Sequence, residues 1–278
     1  MDTILLPTDF SATSKNAIAY AIQLAKSFGV KRIVLYHAYQ IPVTGDPIVP
    51  VVQMIDYESI KKANEENLQH FATEVRASVS ESNIVVEVFC ELNELSDGVA
   101  DACTKYGADL VIAGITEANK IEETLIGSST ISIARQTTVP VIIVPDGAVY
   151  TPYQHVLFAC DFKKIIETTP IDAIKKIVNN NRAKLLVLHV NHTGEGYSTE
   201  MEHEIKMLNG LLDGMYPEYH FVDNEDFMQG INDFATNKNV DLIITIPKKH
   251  GFFEKLFKKS HVKMLAYHSH IPLMVVHD

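Results

Sequence analysis

The chain has 278 residues, 46% of them hydrophobic and 21% charged, and a formal net charge of −11. That length suits two domains with a core each, and the acidic balance argues against general nucleic-acid binding. No apolar run approaches membrane-spanning length, and Met1-Asp2-Thr3 leads straight into a strand, so neither membrane nor export signal is expected. Cys90, Cys103 and Cys160 are widely spaced in or beside apolar elements. They read as buried free thiols, which suits a reducing cytoplasm.

In chain order, Thr3 to Pro7 reads as a strand, and Ser11 is a suitable N-cap for a helix. Ala17, Ile18, Ala21, Ile22, Leu24, Ala25 and Phe28 then recur at helical spacing. Arg32 to Ala38 is a second strand, and the Pro- and Gly-containing stretch after it is a loop. An amphipathic helix is predicted from Tyr57 to about Ser80, with Ile60, Leu68, Phe71, Val75 and Val79 on one stripe. Asn83 to Cys90 is a third strand and Asp97 to Tyr106 a helix. DLVIAG (109–114) is a fourth strand, GSST (127–130) opens a helix, and VPVIIVP (139–145) holds a fifth strand. Residues 146–153 read as a linker, after which the alternation returns with helices near 165–180 and 199–215.

The return is a repeat. Asp109 lies over Asp241, Ser128 over Ser260 and Pro140 over Pro272 without a gap, and upstream Gly98 lies over Gly230. Nearer the start, ILLPTDF (4–10) lies over VLFACDF (156–162) and RIVLYHA (32–38) over KLLVLHV (184–190). The two registers differ because residues 40–59 form a longer segment in the first half. A period this long marks two copies of one domain, 1–147 and 148–278. Strands alternating with helices imply an α/β protein: two tandem doubly wound domains, each with five parallel strands in flavodoxin-like layers. Val141–Val144 and Leu273–Val276, apolar last strands, are expected to pair so that neither is an open edge.

In such sheets ligands sit outside the carboxyl ends of the strands, where strand order reverses. Thr8, Asp9, Ala38, Gly114, Gly127, Ser128 and Ser129 fall there. Asp9 would accept from a ribose or base, and the Gly-Ser-Ser backbone at a helix start would donate to phosphate. The plainer alternative is that Asp9 caps the first helix and Gly114 relieves a turn.

At these residues the chain resembles the universal stress protein family in its tandem two-domain form, over nearly its whole length. The carrying features are LLPTDFSATSKNAIAYA, ADLVIAG, the GSS-helix start and VPVIIVP. The resemblance implies a fold of the adenine-nucleotide α-hydrolase type. The nucleotide-binding branch carries Gly, two residues, Gly, nine residues, then Gly-Ser or Gly-Thr. Gly114, Gly127 and Ser128 keep that spacing, while Glu117 stands at the second glycine place. Its carboxylate would oppose phosphate charge. The resemblance also makes Asp9 the acidic residue at the first strand end, and Ala38 the position whose backbone meets the base. In the second half Asp161 and Ser260 remain, but Ile246, Lys249 and Lys259 fill the three glycine places.

These readings imply a cytoplasmic stress-response protein that acts as a regulatory or binding module. It would have a partly degenerate site for ATP or AMP in the first half and a lost one in the second. The alternative is an ATP- or AMP-binding protein with slow hydrolysis in the first half, which would be its only catalysis. Expected partners are a protein of unidentified kind and a small anionic ligand, with a homodimer as a further option. Lys248, Lys249, Lys255, Lys258, Lys259 and Lys263, interleaved with Phe252, Phe253, Leu256 and Phe257, read as a solvated helix face or an anion surface. Phe252 or Phe253 would plug the second crevice. His189 with His192, and His268 with His270, lack further ligands nearby in sequence, so no metal is expected. His37 and His189 occupy equivalent strand positions, which favours packing with a hydrogen bond over catalysis.

Overall fold

The computed structural model of the protein describes residues 1–41, 56–116, 128–191, 198–246 and 270–277. Glu117, Gly127, the bulk of the loop after the second strand and the Lys/Phe-rich stretch 248–263 lie outside these residues, as do His192 and His268. In the first half, β1 (Thr3–Pro7), β2 (Arg32–Tyr39), β3 (Val85–Leu92), β4 (Leu110–Ile115) and β5 (Val141–Pro145) alternate with α1 (Ala12–Phe28), α2 (Tyr57–Ser78), α3 (Leu95–Tyr106) and α4 (Ser128–Gln136). The second half contributes β6 (His155–Ala159), α5 (Ile165–Thr168), α6 (Ile171–Asn181), β7 (Lys184–Asn191), α7 (Thr199–Leu211), β8 (Glu218–Asp223), α8 (Phe227–Asn237), β9 (Leu242–Thr245) and β10 (Leu273–Val275).

All ten strands join one sheet in the order β3-β2-β1-β4-β5-β10-β9-β6-β7-β8. Each neighbouring pair is parallel except β5 and β10, which run antiparallel with Met274 opposite Ile142. The two last strands therefore pair as expected, and each covers the edge the other would expose. Alternate side chains divide between two cores, as the two-residue period of a strand requires. Ile4, Leu6 and Ile33 meet α1 and α2 on one face, while Leu5, Val34 and Val111 meet α3 and α4 on the other. Burial on both faces is why the central strands are unbroken apolar runs.

The first helix begins as predicted, with Ser11 accepting from the Ser14 N–H. The single helix expected near 165–180 is instead two, α5 and α6, broken at Thr169-Pro170. Proline has no N–H to give the preceding turn, and its ring disfavours helix in the residue before it. The helix from Thr199 also stops at Leu211, short of the predicted end. Cys103 and Cys160 are buried and form no disulfide, but Cys90, on edge strand β3, is only half-buried. Burial raises the Cys90 and Cys103 thiols to about 11.

Several fastenings recur in both halves. Asp109 accepts from the Asp2 and Thr3 N–H groups at the start of β1, and Asp241 accepts from Gln154 and His155 at the start of β6. Gly98 on α3 and Gly230 on α8 both sit where a helix crosses close to a strand. A Cβ there would lie 1.7 Å from Tyr36 Oη and 2.9 Å from Val190 Cγ1 respectively. The halves are joined by more than the strand pair. Tyr153, in the linker, is buried with its hydroxyl 2.7 Å from that of Tyr20, and Asn181 accepts from the Tyr153 N–H and the Tyr150 hydroxyl. Among the described residues no helix is long and apolar enough to cross a membrane.

Candidate functional site

Strand order reverses between β1 and β4. The chain leaving β1 enters α1 on one face, and α4 lies on the other, so a gap opens at the carboxyl ends of these strands. It is a crevice of about 280 Å³ lined by Thr8, Asp9, Ser11, Thr13 and Ser14 from the first strand and helix, Ala38, Leu95, the run Ala113–Thr116, and Ser129, Thr130 and Ile133 from α4.

Five of the sequence-predicted residues, Thr8, Asp9, Ala38, Gly114 and Ser129, thus share one cavity. Ser128 is the first residue of α4, whereas Glu117 and Gly127 lie outside the described residues. Sequence reasoning did not single out Thr13, Ser14, Leu95, Thr116, Thr130 or Ile133. Thr116 and Thr130 were within reach, since they adjoin the glycine-motif positions. Thr13 and Ser14 were hidden inside a helix pattern, and Leu95 needed the fold.

The lip at β1 is built by local hydrogen bonds. Phe10 N–H donates to Thr8 Oγ1 and Ser11 N–H to Asp9 Oδ1, each at 3.0 Å, which reverses the chain into α1. Phe10 adopts φ +65°, a left-handed conformation that costs a bulky residue about 1–2 kcal/mol. Phe162 repeats it at φ +49°. His37 offsets the strain, with Nδ1 2.7 Å from the Thr8 carbonyl oxygen and its ring 4.6 Å from that of Phe10. His189 repeats the arrangement, 3.1 Å from the Cys160 carbonyl and packed on Phe162. Both histidines thus serve packing and hydrogen bonding.

The electrostatics of the crevice are one-sided. Burial pushes the Asp9 carboxyl up, but hydrogen bonds from Ser11 and Ser14 outweigh it and hold the carboxyl below its ordinary value. Asp9 is therefore ionised at neutral pH, and no described lining residue is cationic. Hydroxyls supply most of the polar side chains in the walls. Thr8 and Ser14 pair at 3.2 Å, Thr130 Oγ1 donates to the Gly114 carbonyl at 2.7 Å, and Thr13 meets Thr116 at 3.0 Å. No group of His, Cys, Asp and Glu suited to a metal occurs among the described residues.

Gly114 has a role that its place in a glycine motif does not reveal. A Cβ there would stand 2.6 Å from the Thr13 carbonyl oxygen and 2.8 Å from Thr13 Cγ2. The missing side chain lets the first turn of α1 lie against β4. In the second half Ile246 takes this place, and the helix facing it is broken into α5 and α6, whose Ile165, Ile174 and Ile177 share a buried core with Ile246. Other lining positions have also grown: Val190 for Ala38, Phe227 for Leu95 and Thr245 for Ala113, all buried.

A doubly wound α/β protein with a hydroxyl-lined crevice at its switch point is the class these features define. The universal stress protein family matches residues 1–145, just over half of the chain, and the chain belongs to that family. It is similar to universal stress protein MJ0531 of Methanocaldococcus jannaschii, 26% identical over 141 residues that make up 51% of this chain and 80% of that protein. A universal stress protein from Archaeoglobus fulgidus has the same fold over 99% of this chain and 96% of its own, at 20% identity and a TM-score of 0.75. The functionally unknown protein PA1789 of Pseudomonas aeruginosa covers 99% of this chain and 92% of its own, at 11% identity and a TM-score of 0.62. At these identities the two structures speak for the fold alone, and they do so for both halves.

Proposed function

We propose that this universal stress protein is a cytoplasmic regulatory binding module, composed of domains 1–147 and 148–278, whose ligand site is the first-half crevice. The ligand is an adenine nucleotide or nucleoside, and the second half has given up the equivalent site. One observation carries the reading: the crevice between β1 and β4 is open, whereas at four equivalent second-half positions, Val190, Phe227, Thr245 and Ile246, larger side chains are buried. Asp9 at the lip offers an acceptor for ribose hydroxyls, and the first turn of α4 offers backbone N–H donors. The second-half change supports a stoichiometry of one ligand per chain.

Calorimetric titration with AMP tests this. Saturation at one equivalent is expected, with Asp9→Ala weakening binding and Ser128→Ala costing about 1 kcal/mol or somewhat more. Two equivalents per chain, or unchanged affinity in both variants, would refute the assignment.

A further inference from the structure

The hydroxyls behind the crevice lip carry an inference that rests on the reading just given. Ser14 is buried in the first turn of α1, and its hydroxyl is a hub. It lies 3.2 Å from Thr8 Oγ1, accepts from Ser11 Oγ at 3.4 Å and donates to the Ser11 carbonyl at 3.1 Å. Thr8 Oγ1 accepts from the Phe10 N–H, so its own proton is free to go to Ser14. Bonds from Ser11 and Ser14 also reach the Asp9 carboxyl and hold it below its ordinary value. The second half shows what this network is not for. In the ungapped register that sets Asp161 on Asp9, Cys160, Lys163 and Ile166 replace Thr8, Ser11 and Ser14. The turn survives all three changes. Phe162 N–H donates to Cys160 Sγ at 3.3 Å, Lys163 N–H donates to Asp161 Oδ1 at 3.1 Å, and Phe162 stays left-handed. The fold of this lip therefore needs the carboxylate but none of the three hydroxyls, and all three line the crevice that is open.

We propose that Ser14 is a positioning residue for ligand binding. Supplied with a proton by Thr8 and backed by Ser11, it fixes the Asp9 carboxylate as a rigid acceptor for the ligand's donor groups, the ribose hydroxyls first among them. A carboxylate held in this way has little rotamer freedom left to lose when the ligand arrives.

The test is a double-mutant cycle on the full chain, read by calorimetric titration with AMP at neutral pH. Ser14→Ala is expected to weaken binding roughly fivefold, the effect of one hydrogen bond. In an Asp9→Asn background the same change should have no further effect, because Ser14 acts through the carboxylate. A second readout needs no ligand. In carbon NMR of the Asp9 carboxyl, Ser14→Ala should move the titration midpoint up, since a donor to the charged form is lost. Asp9 is the only titratable residue in the described lining, which comes from β1, β2, β4, α1, α3 and α4. Lys15, His37 and Glu94 adjoin that lining in sequence and are the same in every variant. Thr8→Cys, a residue the second half folds with at this place, covers the case of a misfolded Ser14→Ala protein. It should likewise weaken AMP binding only while Asp9 is present. Affinity unchanged by Ser14→Ala, or lowered equally in both backgrounds, would overturn this inference and leave the nucleotide site standing. An unmoved Asp9 midpoint would do the same. No binding of AMP by the parent chain would overturn both.

Discussion

Replacing Gly114 by alanine separates two accounts of that glycine. If it serves only the approach of a ligand, the ligand-free protein should tolerate a methyl group. The structure says otherwise, because the methyl carbon would stand 2.6 Å from the Thr13 carbonyl oxygen. That oxygen belongs to helix backbone and has no rotamer to escape into. Either α1 lifts from β4, loosening the core around Ala17 and Ile18, or the end of β4 shifts against β5, where Gly114 is paired with Val144. Overpacking of this kind costs about 1–3 kcal/mol. For a chain of this size that lowers Tm by roughly 2–4 °C per kcal/mol. Scanning calorimetry without nucleotide measures it, and Gly210→Ala is the control. Gly210 lies in α7, where a methyl carbon would meet nothing within 4 Å, so alanine there should gain up to about 1 kcal/mol of helix propensity. Thr13→Ser in the Gly114→Ala background removes the 2.8 Å contact with Cγ2 but not the carbonyl contact, so it should restore only part of the loss. A Gly114→Ala protein as stable as the parent would refute the packing account.

Two further outcomes follow from the fastenings of the sheet. Burial raises the Asp109 carboxyl, but the Asp2 and Thr3 N–H groups and the Lys176 charge outweigh it and hold the folded value below the ordinary one. Its contribution is then fully present above the unfolded value near pH 4 and is lost as pH falls through the folded value. Asp109→Asn should therefore flatten the acid limb of a Tm-against-pH curve, and an unchanged limb would count against the clamp. Tyr20→Phe leaves the buried Tyr153 hydroxyl without its partner, at a cost of about 1–3 kcal/mol in denaturant unfolding. The double change with Tyr153→Phe should cost less than the sum of the single changes, and strict additivity would mean that the bond is not formed.

The alternation of strands and helices, the repeat and the pairing of the last strands were legible in the sequence because each rests on long apolar patterns. The break at Thr169-Pro170 was also written there, as a proline inside a helical run, but the run's apolar spacing concealed it. The site was legible in part. Thr8, Asp9 and Gly114 stand at strand ends that any doubly wound sheet gathers at its switch point. Thr13 was not, because its role comes from the closeness of α1 to β4, a distance that no spacing encodes. The second role of Gly114 was hidden for the same reason.

The two copies differ in a patterned way. What both retain holds the sheet together: Asp109 and Asp241 at strand starts, Gly98 and Gly230 at helix crossings, His37 and His189 behind the strained phenylalanines. At four crevice positions the second half carries larger side chains, Ala38 to Val190, Leu95 to Phe227, Ala113 to Thr245 and Gly114 to Ile246, whereas Pro7 to Ala159 is a smaller one and Asp9 is kept as Asp161. Filling a crevice with buried apolar groups adds favourable burial at about 25 cal/mol per Å². A domain relieved of a ligand gains by such filling, while one that must stay open forgoes it. Under the proposed function, the open first crevice is the less stable choice, and binding of a ligand to the folded state would offset that cost.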